Sequence, residues 1–423
     1  MTSSASTPGS TPAQSSPAGP AAAQSGSAHP GPPQSAPTRP ATDHAALLPA
    51  AESRLSQMLA DIERAISLET PSSDLDAVAR GAQDFAALMA DRLGATPEVL
   101  TVDGVTHLRL RFGQGPAKVV LVNHQDTVWP HGTLERIPFS HEDGVVRGPG
   151  SFDMLTGAVM SVHATAMLID QAGPEAVDGL SIVVTGDEEV GSATGAPLLR
   201  EEAAQARAAF VMEAAAGEAG SLKLARKGTS MYTIALHGRA SHAGLDPEKG
   251  VNAGLELSHQ MLAVAALADP AQGTTVTPTV FSGGTTTNTV PALARFDIDV
   301  RAKTQEELQR VDDAIRALTP VLDGATLGVQ GGINRPPMER AMSEQLFARA
   351  GELAQAIGVA DPTGVEVGGA SDGNYTAGDG IPTLDGLGAV GDGAHAEHEH
   401  ALSAHIAPRT ALLAALIADQ LQG

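Results

Sequence analysis

Apolar residues recur along this chain in two patterns. In some segments they return every three to four residues, which places them on one face of a helix. That spacing predicts helices over residues 44–68, 74–93, 156–170 and 193–206. Elsewhere they form short unbroken runs that are rich in β-branched side chains and bounded by turn residues, as in buried strands. These runs predict strands over residues 98–101, 107–112, 118–122, 179–185 and 208–212.

The order of these elements indicates an architecture. Strands alternate with helices up to residue 212, which is typical of a mostly parallel sheet with helices on both faces. The next segment predicts strand, helix, strand, strand, helix and strand, at 230–237, 252–267, 279–282, 292–301, 305–318 and 325–329. That succession is the ferredoxin-like plan. After Arg335 the first pattern resumes, with helices at 343–357 and 408–421 and strands at 363–367 and 381–384.

We therefore predict an α/β protein in which a mostly parallel sheet flanked by helices is interrupted by a ferredoxin-like α+β insert. The main domain comprises residues 43–227 and 336–423, and the insert comprises residues 228–335. Residues 1–42 consist almost wholly of Ser, Thr, Ala, Pro, Gly and Gln. Such a segment buries too little apolar surface to offset its ordering entropy, so we predict a disordered tail.

Composition narrows the possible classes of function. The 423-residue chain carries 26 basic and 49 acidic side chains, for a formal charge of -23. This balance argues against binding to nucleic acid or to anionic membrane surfaces, which need cationic patches. The chain has no cysteine, so any metal site must use His, Asp and Glu. Because it shows neither an apolar stretch of about 20 residues nor a secretory signal pattern, we expect a cytoplasmic protein without a membrane span.

Three predicted strands lead into side chains of the types that commonly bind metals. These are His124 and Asp126, the carboxylates of residues 187–189, and Glu213. Ligands of open α/β sheets bind outside the carboxyl ends of the strands, so the three strand ends indicate one site. Within residues 187–189, successive side chains point in different directions. One glutamate can therefore bind a metal while its neighbour stays free as a base.

Two further segments can complete this site. A Gly/Pro-rich turn delivers Asp153 directly before a predicted helix, and His395 follows a glycine-rich run in a His-rich segment. Simpler interpretations exist: Asp153 as a helix N-cap, residues 187–189 as an acidic loop, and the histidines as surface side chains. Together, two His and three acidic ligands with one spare Glu suit a pair of divalent ions, zinc above all, bridged by a carboxylate and a water.

Short motifs follow one another in a distinctive order. They are NHQDTV (123–128), GPGSFDM (148–154), GDEEVGS (186–192), VMEAA (211–215), ARKG (225–228), GRASHAG (238–244), NTVP (288–291), DVRA (299–302), NRPPM (334–338), GGASDGN (368–374) and GAHAEHE (393–399). In these motifs the sequence resembles the di-zinc exopeptidases and amidohydrolases that include glutamate carboxypeptidase, acetylornithine deacetylase, succinyl-diaminopimelate desuccinylase and aminoacylase. It is closest to the glutamate carboxypeptidase-like branch, and the resemblance spans residues 45–421.

The resemblance implies metal ligands. His124 and Glu213 would bind one zinc ion, Glu189 and His395 would bind the other, and Asp153 would bridge the two. Co²⁺ or Mn²⁺ are possible substitutes for zinc.

The resemblance also implies catalytic and binding residues. Asp126 would orient the first ligand histidine, and Glu188 would be the general base. His242, on the insert, would reach the substrate carbonyl oxygen in the partner subunit's site. Arg335 would bind a substrate carboxylate. Two further side chains would assist it: Asn288 and Arg301.

The implied activity is hydrolysis of an amide bond next to a free carboxylate, in a peptide or N-acyl amino acid, through a hydroxide that bridges the metal ions. One alternative with the same centre is a deacylase of the acetylornithine or succinyl-diaminopimelate type. Another is a metal-binding dimer without catalysis, which the presence of Glu188 disfavours. The resemblance further implies a homodimer joined through the insert, which would act as a lid. The sequence departs from the family at Leu155, where lysine is usual, and at Asn123, where glycine is usual.

Overall fold

A computed structural model describes residues 42–422 of the protein. The predicted disordered tail, residues 1–42, lies outside the described residues except for Thr42. In chain order the helices of the described part are α1 (Leu47–Ile66), α2 (Leu75–Leu93), α3 (Thr133–Arg136), α4 (Leu155–Ala172), α5 (Gly195–Ala203), α6 (Ala253–Ala265), α7 (Gln305–Arg316), α8 (Glu344–Ile357), α9 (Gly373–Gly378) and α10 (Ile406–Gln422). Within residues 42–422, no helix is both long and apolar enough to span a membrane.

The strands alternate with these helices through much of the chain. In order they are β1 (Glu98–Val102), β2 (Val105–Arg111), β3 (Val119–His124), β4 (Ser140–Glu142), β5 (Val145–Arg147), β6 (Leu180–Thr185), β7 (Ala208–Val211), β8 (Leu222–Arg226), β9 (Gly228–His237), β10 (Thr275–Gly283), β11 (Leu293–Ala302), β12 (Thr326–Arg335), β13 (Gly364–Val367), β14 (Thr383–Leu384), β15 (Gly391–Asp392) and β16 (His400–Leu402).

The central sheet has the strand order β1-β2-β6-β3-β7-β14. Strands β6, β3, β7 and β14 run parallel, whereas β1 and β2 join one edge in antiparallel fashion. Alternate residues of β3 face opposite cores: Val119 and Leu121 share a core with α1, α2, α4 and α10, and Val120 and Val122 share one with α5. Helices thus cover both faces, and for this reason the strands are unbroken apolar runs in the sequence. The predicted α/β class is confirmed.

A second, antiparallel sheet is formed between residues 228 and 335, in the order β10-β11-β9-β12. Its elements follow the chain as β9, α6, β10, β11, α7 and β12, which is the predicted ferredoxin-like succession. One face packs against the two helices around Ile234, Phe296 and Ile315. The other face carries half-exposed Met231. The exact domain boundaries stay a prediction.

The apolar pattern does not reveal two smaller sheets. Strand β13 pairs in parallel with β8 and not with the central sheet, and β15, β16, β5 and β4 form a four-stranded sheet. The strands of the four-stranded sheet have two or three residues each. Such strands are too short to show a period of two in the sequence.

The register of the central sheet brings its functional strand ends together. His124, the last residue of β3, lies opposite Thr185, the last residue of β6. On the other side, Val122 of β3 lies opposite Val211 of β7. The segments that follow β6 and β7 therefore leave the sheet beside His124, at the carboxyl edge where ligands bind in open α/β sheets.

Candidate metal centre

Two imidazoles and three carboxylates meet at this edge of the central sheet. Nε2 of His124 lies 3.3 Å from Oδ1 of Asp153 and 3.6 Å from Oε1 of Glu213. Nε2 of His395 lies 3.4 Å from Oδ2 of Asp153 and 3.1 Å from Oε2 of Glu189. Asp153 therefore stands between the two pairs and offers one oxygen to each. These are the five residues that the sequence suggests as metal ligands.

Several polar atoms of this cluster are buried and have no hydrogen-bond partner. They are Nε2 of His124, Oδ1 of Asp153 and Oε1 of Glu189. Unpaired buried polar atoms are costly, and so are carboxylates packed together without cations. Two divalent cations fit this arrangement, because each would meet one imidazole and two carboxylates, with Asp153 shared. A set of nitrogen and oxygen donors of this kind suits zinc.

The electrostatics of the cluster favour positive charge. The carboxylates of Asp153 and Glu189 raise the pKa of His395 to about 10. Burial alone would lower the pKa of His124, but its contacts with Asp153 and Glu213 raise that pKa well above the usual value. The cluster thus holds protons tightly, and metal ions would compete with those protons for the same atoms.

The ring of His124 is oriented by the backbone of Asp126. Its Nδ1 lies 2.9 Å from the carbonyl oxygen of Asp126 and 3.6 Å from the carboxylate. The carboxylate accepts hydrogen bonds from the backbone N–H groups of Glu188 and Glu189, and from the hydroxyl of Ser72. Burial raises the pKa of Asp126 to about 6. Asp126 therefore contacts the ring of His124 through its carbonyl oxygen and the backbone of Glu188 and Glu189 through its carboxylate.

The three consecutive carboxylates of residues 187–189 point to three different places. Asp187 faces the start of α5, where it accepts hydrogen bonds from the backbone N–H and hydroxyl of Thr194. Glu188 points to Arg335, and Glu189 points to the second imidazole of the cluster. Asp187 and Glu188 are buried, which does not fit a solvated acidic loop.

Asp153 is not the N-cap of the following helix. The helix α4 begins at Leu155, its N-cap is Met154, and no side-chain hydrogen bond caps it. The carboxylate of Asp153 faces the imidazoles instead. The peptide bond between Asp153 and Met154 is cis.

Arg335, at the end of β12, contacts Glu188 directly. Its Nη2 lies 2.8 Å from Oε1 of Glu188, and it also donates to the carbonyl oxygen of Glu188 and the hydroxyl of Ser192. The carboxylate of Asp372 is 3.4 Å away, and the ring of Tyr375 lies under the guanidinium, 5.5 Å from it. The Nε of Arg335 is buried without a hydrogen-bond partner. Burial raises the pKa of Glu188 well above its usual value, although Arg335 acts in the opposite direction.

Glu213 is flanked by cations to which the sequence pattern assigns no role. Nη2 of Arg226 lies 3.2 Å and Nζ of Lys223 lies 3.7 Å from its carboxylate. Arg226 is itself held by Asp385, through hydrogen bonds of 2.7 and 3.0 Å. The ARKG motif, which contains Arg226, is the signal that points to it. Its partner Asp385 is 159 positions away, so only the fold shows the contact.

The other predicted residues lie on the insert. His242 is exposed, and its Nδ1 accepts hydrogen bonds from two backbone N–H groups further along its own turn. The neutral ring therefore carries its proton on Nε2. Asn288 is exposed, and its backbone carbonyl oxygen accepts a hydrogen bond from the backbone N–H of Ala243. Arg301 is ion-paired with Asp299 at 2.8 Å. Among the described residues, none of these three side chains makes a hydrogen bond or an ion pair with the five clustered side chains.

Both departures from the family pattern have a packing explanation. Leu155 is buried in the main core, so an apolar side chain suits its position. Asn123 is buried in β3, and its Nδ2 donates to the carbonyl oxygen of Val183 in β6 at 3.1 Å. Neither residue disturbs the five clustered side chains.

Comparison with known sequences agrees with this geometry. Residues 120–419 match Peptidase family M20/M25/M40. Carboxypeptidase G2 of Pseudomonas sp. (strain RS-16) is 28% identical over an alignment of 385 residues that covers 88% of this chain and 91% of that protein. Succinyl-diaminopimelate desuccinylase of Methylorubrum extorquens (strain PA1) is 30% identical over an alignment of 250 residues that covers 52% of this chain and 63% of that protein.

Solved structures share the fold. An aminopeptidase PepT from Bacillus cereus ATCC 10987 has a TM-score of 0.65 at 22% identity, and the match covers 88% of this chain and 99% of the PepT chain. An M20 family metallo-carboxypeptidase, Sso-CP2 from Sulfolobus solfataricus, has a TM-score of 0.63 at 13% identity, and the match covers 86% of this chain and 98% of that one. The sequence match spans most of the chain and contains all five clustered side chains. The chain therefore belongs to Peptidase family M20/M25/M40, and it is an enzyme of the metallopeptidase and amidohydrolase class.

Proposed function

We propose that this protein is a zinc-dependent hydrolase that cleaves an amide bond next to a free carboxylate and releases an amino acid such as glutamate. Similarity to carboxypeptidase G2 over nearly the whole chain supports this reaction class. The observation that carries the proposal is the position of Asp153, whose two oxygens face the two imidazoles of the cluster. That position favours a centre for two metal ions over a centre for one.

Five side chains would hold the metal ions. His124 and Glu213 would bind one zinc ion, His395 and Glu189 the other, and Asp153 both. Bound zinc polarises the scissile carbonyl group and makes water a better nucleophile at neutral pH. Co²⁺ and Mn²⁺ are proposed as substitutes, since they accept the same nitrogen and oxygen donors.

Glu188 would carry the proton. Its carboxylate is buried beside the cluster, and burial raises its pKa from the ordinary value. A raised pKa suits a general base, which works best when its pKa is near the working pH. Glu188 would accept a proton from the attacking water and then donate it to the departing amine. Asp126 supports this role, because it accepts a hydrogen bond of 3.2 Å from the backbone of Glu188.

Arg335 would bind the free carboxylate of the substrate. A guanidinium offers paired hydrogen bonds that match the two oxygens of a carboxylate. The unpaired, buried Nε of Arg335 leaves a donor for such a ligand. Because Nη2 of Arg335 contacts Glu188, a carboxylate bound there would place the scissile amide close to the base. Asn288 and Arg301 stay predictions as additional substrate contacts.

We also propose a homodimer that is joined through the insert, residues 228–335. Strand β10 forms one edge of the second sheet, and its Val280 and Phe281 are 60% and 63% exposed. The helix α6 packs beside β10 and exposes Leu255 and Leu262. An open strand edge next to exposed apolar side chains is unfavourable in a monomer. A second copy could pair with it through the same surface, as in a two-fold interface.

The dimer has a direct test. Leu262→Glu should shift the protein from dimer to monomer in sedimentation velocity, because it places a charge in the apolar surface. Met231→Glu, on the opposite face of the same sheet, is the matched control and should stay dimeric. A variant lacking residues 228–335 should be monomeric as well. A monomeric wild-type protein would contradict the proposal.

His242 would act across this interface, in the partner subunit's site. Its exposure supports this placement, and so do its hydrogen bonds, which go to its own turn and not to the described cluster. Co-expression of Glu188→Ala and His242→Ala chains tests it, since each homodimer should be inactive. In a random mixture half the dimers are mixed, and one of their two sites is complete, so about a quarter of wild-type activity should return. No recovery between two inactive homodimers would show that His242 acts within its own chain. An active His242→Ala homodimer would show that His242 has no catalytic role.

A deacylase of the succinyl-diaminopimelate type is the alternative, since those relatives match over about half of this chain. Assays of the zinc-reconstituted protein should compare N-acyl glutamates, simple dipeptides, acetylornithine and succinyl-diaminopimelate. We expect glutamate release, and its absence from every substrate would refute the preferred class. Glu188→Ala is the control for contaminating activity. A cytoplasmic location is likewise proposed, and cell fractionation would test it.

A further inference from the structure

Glu399 is a buried carboxylate that accepts hydrogen bonds from four separate donors. Its Oε1 accepts from the backbone N–H groups of Phe152 at 2.9 Å and Asp153 at 3.0 Å. Its Oε2 accepts from the backbone N–H of Gly150 at 2.9 Å and from the indole N–H of Trp129 at 2.7 Å. The residue is 1% exposed. A carboxylate at this position therefore organises the whole turn that delivers Asp153.

The same short turn of chain also carries a proposed metal ligand. His395 precedes Glu399 by four residues, with backbone hydrogen bonds from Ala396 to Gly393 and from Glu399 to Ala396 between them. Nε2 of His395 lies 3.4 Å from the side chain of Asp153, while Glu399 accepts from the N–H of Asp153. The turn thus contacts Asp153 at its side chain and at its backbone.

We infer that Glu399 is a positioning residue for the metal centre, which aims the carboxylate of Asp153 between the two imidazoles. This inference rests on the proposed function, in which Asp153 bridges two metal ions. Groups behind the metal ligands orient them, and their loss typically weakens metal binding or activity about 10- to 100-fold. Glu399 reaches Asp153 through the backbone, so it fixes where the side chain starts and which way it leaves the turn.

The chemistry of the site requires a carboxylate and no close analogue. An ionised carboxylate is purely an acceptor with about four acceptor positions, which the four N–H groups fill. Glutamine has the same shape, but its amide nitrogen would replace one oxygen and face two N–H donors. Whichever way the amide turned, two of the four hydrogen bonds would be lost, and the turn around Asp153 would have to move.

The test compares Glu399→Gln with Glu397→Gln in the full chain. Glu397 lies in the same turn, but its side chain is exposed and pairs with Arg136 at the surface. Zinc affinity, measured by competition with a chromophoric chelator, should fall about 10- to 100-fold in Glu399→Gln and stay unchanged in Glu397→Gln. With Co²⁺ in place of zinc, only Glu399→Gln should change the visible absorption spectrum. At saturating zinc its kcat should fall at least about tenfold, with KM changed less than about twofold.

A second variant covers the case in which Glu399→Gln does not fold. Trp129→Phe removes only the indole donor to Glu399, and Trp129 is the single tryptophan of the chain. Like Glu399→Gln, Trp129→Phe should lower zinc affinity and kcat, but by a smaller factor than Glu399→Gln. In the wild-type protein, zinc binding should alter the fluorescence of Trp129, because the indole is hydrogen-bonded to the carboxylate behind the centre.

The outcomes separate this inference from the proposed function. If wild-type protein binds no zinc, the proposed function fails. If wild-type protein binds zinc and both glutamine variants match it in affinity, Co²⁺ spectrum and kcat, only the role of Glu399 is overturned. A Glu399→Gln protein that loses thermal stability but keeps those three properties would show that Glu399 merely supports the fold, which also overturns the inference.

Discussion

Replacement of Arg335 by glutamine tests how the enzyme recognises a free carboxylate. The side chain is 9% exposed, so solvent screens its interactions weakly. Two hydrogen bonds to a charged group are worth about 1.5–3 kcal/mol each, and their loss amounts to roughly 3–6 kcal/mol. On a substrate with a free carboxylate, kcat/KM should therefore fall by roughly 10² to 10⁴.

The matched substrate is the same compound with its carboxylate converted to a carboxamide. Wild-type enzyme should hydrolyse it poorly, and Arg335→Gln should add little further loss, because the recognised charge is already absent. Any remaining loss would measure the effect of Arg335 on Glu188, whose pKa should rise when the neighbouring cation is removed. The acidic limb of the pH profile of kcat should then move to higher pH, since the base form of Glu188 appears later.

The control is Arg295→Gln, which removes an exposed arginine that pairs with Asp297 on the insert. It should leave kcat/KM for both substrates unchanged. Equal losses on the carboxylate and the carboxamide in Arg335→Gln would refute carboxylate binding by Arg335. No loss on either substrate would refute both the binding of the substrate carboxylate by Arg335 and its effect on the pKa of Glu188.

Three further predictions follow from the same site and from the core. Glu188→Ala should lower kcat by about 10² to 10⁴ while elemental analysis finds unchanged zinc, and undiminished turnover would contradict its role as base. Zinc binding should release protons, and zinc affinity should rise with pH up to about 10, where His395 loses its proton in the metal-free protein. Calorimetry in buffers of different ionisation enthalpy measures the proton release. Against the effect of burial, hydrogen bonds from Arg92 and His163 lower the pKa of Asp61 from 3.8 to about 2, which is worth about 2 kcal/mol. That stability is present above pH 4 and is lost as the pH falls toward 2. At pH 7, Asp61→Asn should therefore lower the free energy of unfolding by about 2 kcal/mol in urea titrations. An unchanged free energy of unfolding would contradict a stabilising role of the Asp61 carboxylate.

The strand-end ligands could be predicted from the sequence because their position follows from local pattern. A buried strand shows as an apolar run, and the carboxyl ends of parallel strands meet at one edge, so the pattern predicts that His124, the carboxylates of residues 187–189 and Glu213 converge. The choice of Glu189 among the three carboxylates comes from the family resemblance. Asp153 and His395 lie on turns. The residue pattern offers both as possible ligands beside simpler interpretations, and the family resemblance assigns their roles. The structure brings both into the same cluster.

The residues behind the ligands could not be predicted, because they act through contacts that are distant in sequence. Glu399 reaches the Asp153 turn across 246 positions, and Arg226 reaches Asp385 across 159. Asp126 illustrates a different limit. The spacing His-x-Asp suggests a carboxylate next to the ring, but the fold turns the carbonyl oxygen toward His124 and the carboxylate toward the backbone of residues 188 and 189.

The most direct test of the dinuclear centre is the metal content of the purified protein after reconstitution with zinc and gel filtration. Elemental analysis should find two zinc ions per chain in the wild-type protein. Asp153→Asn weakens the shared ligand of both ions and should retain fewer. A wild-type content of one zinc ion or none, at full folding by circular dichroism, would contradict the account.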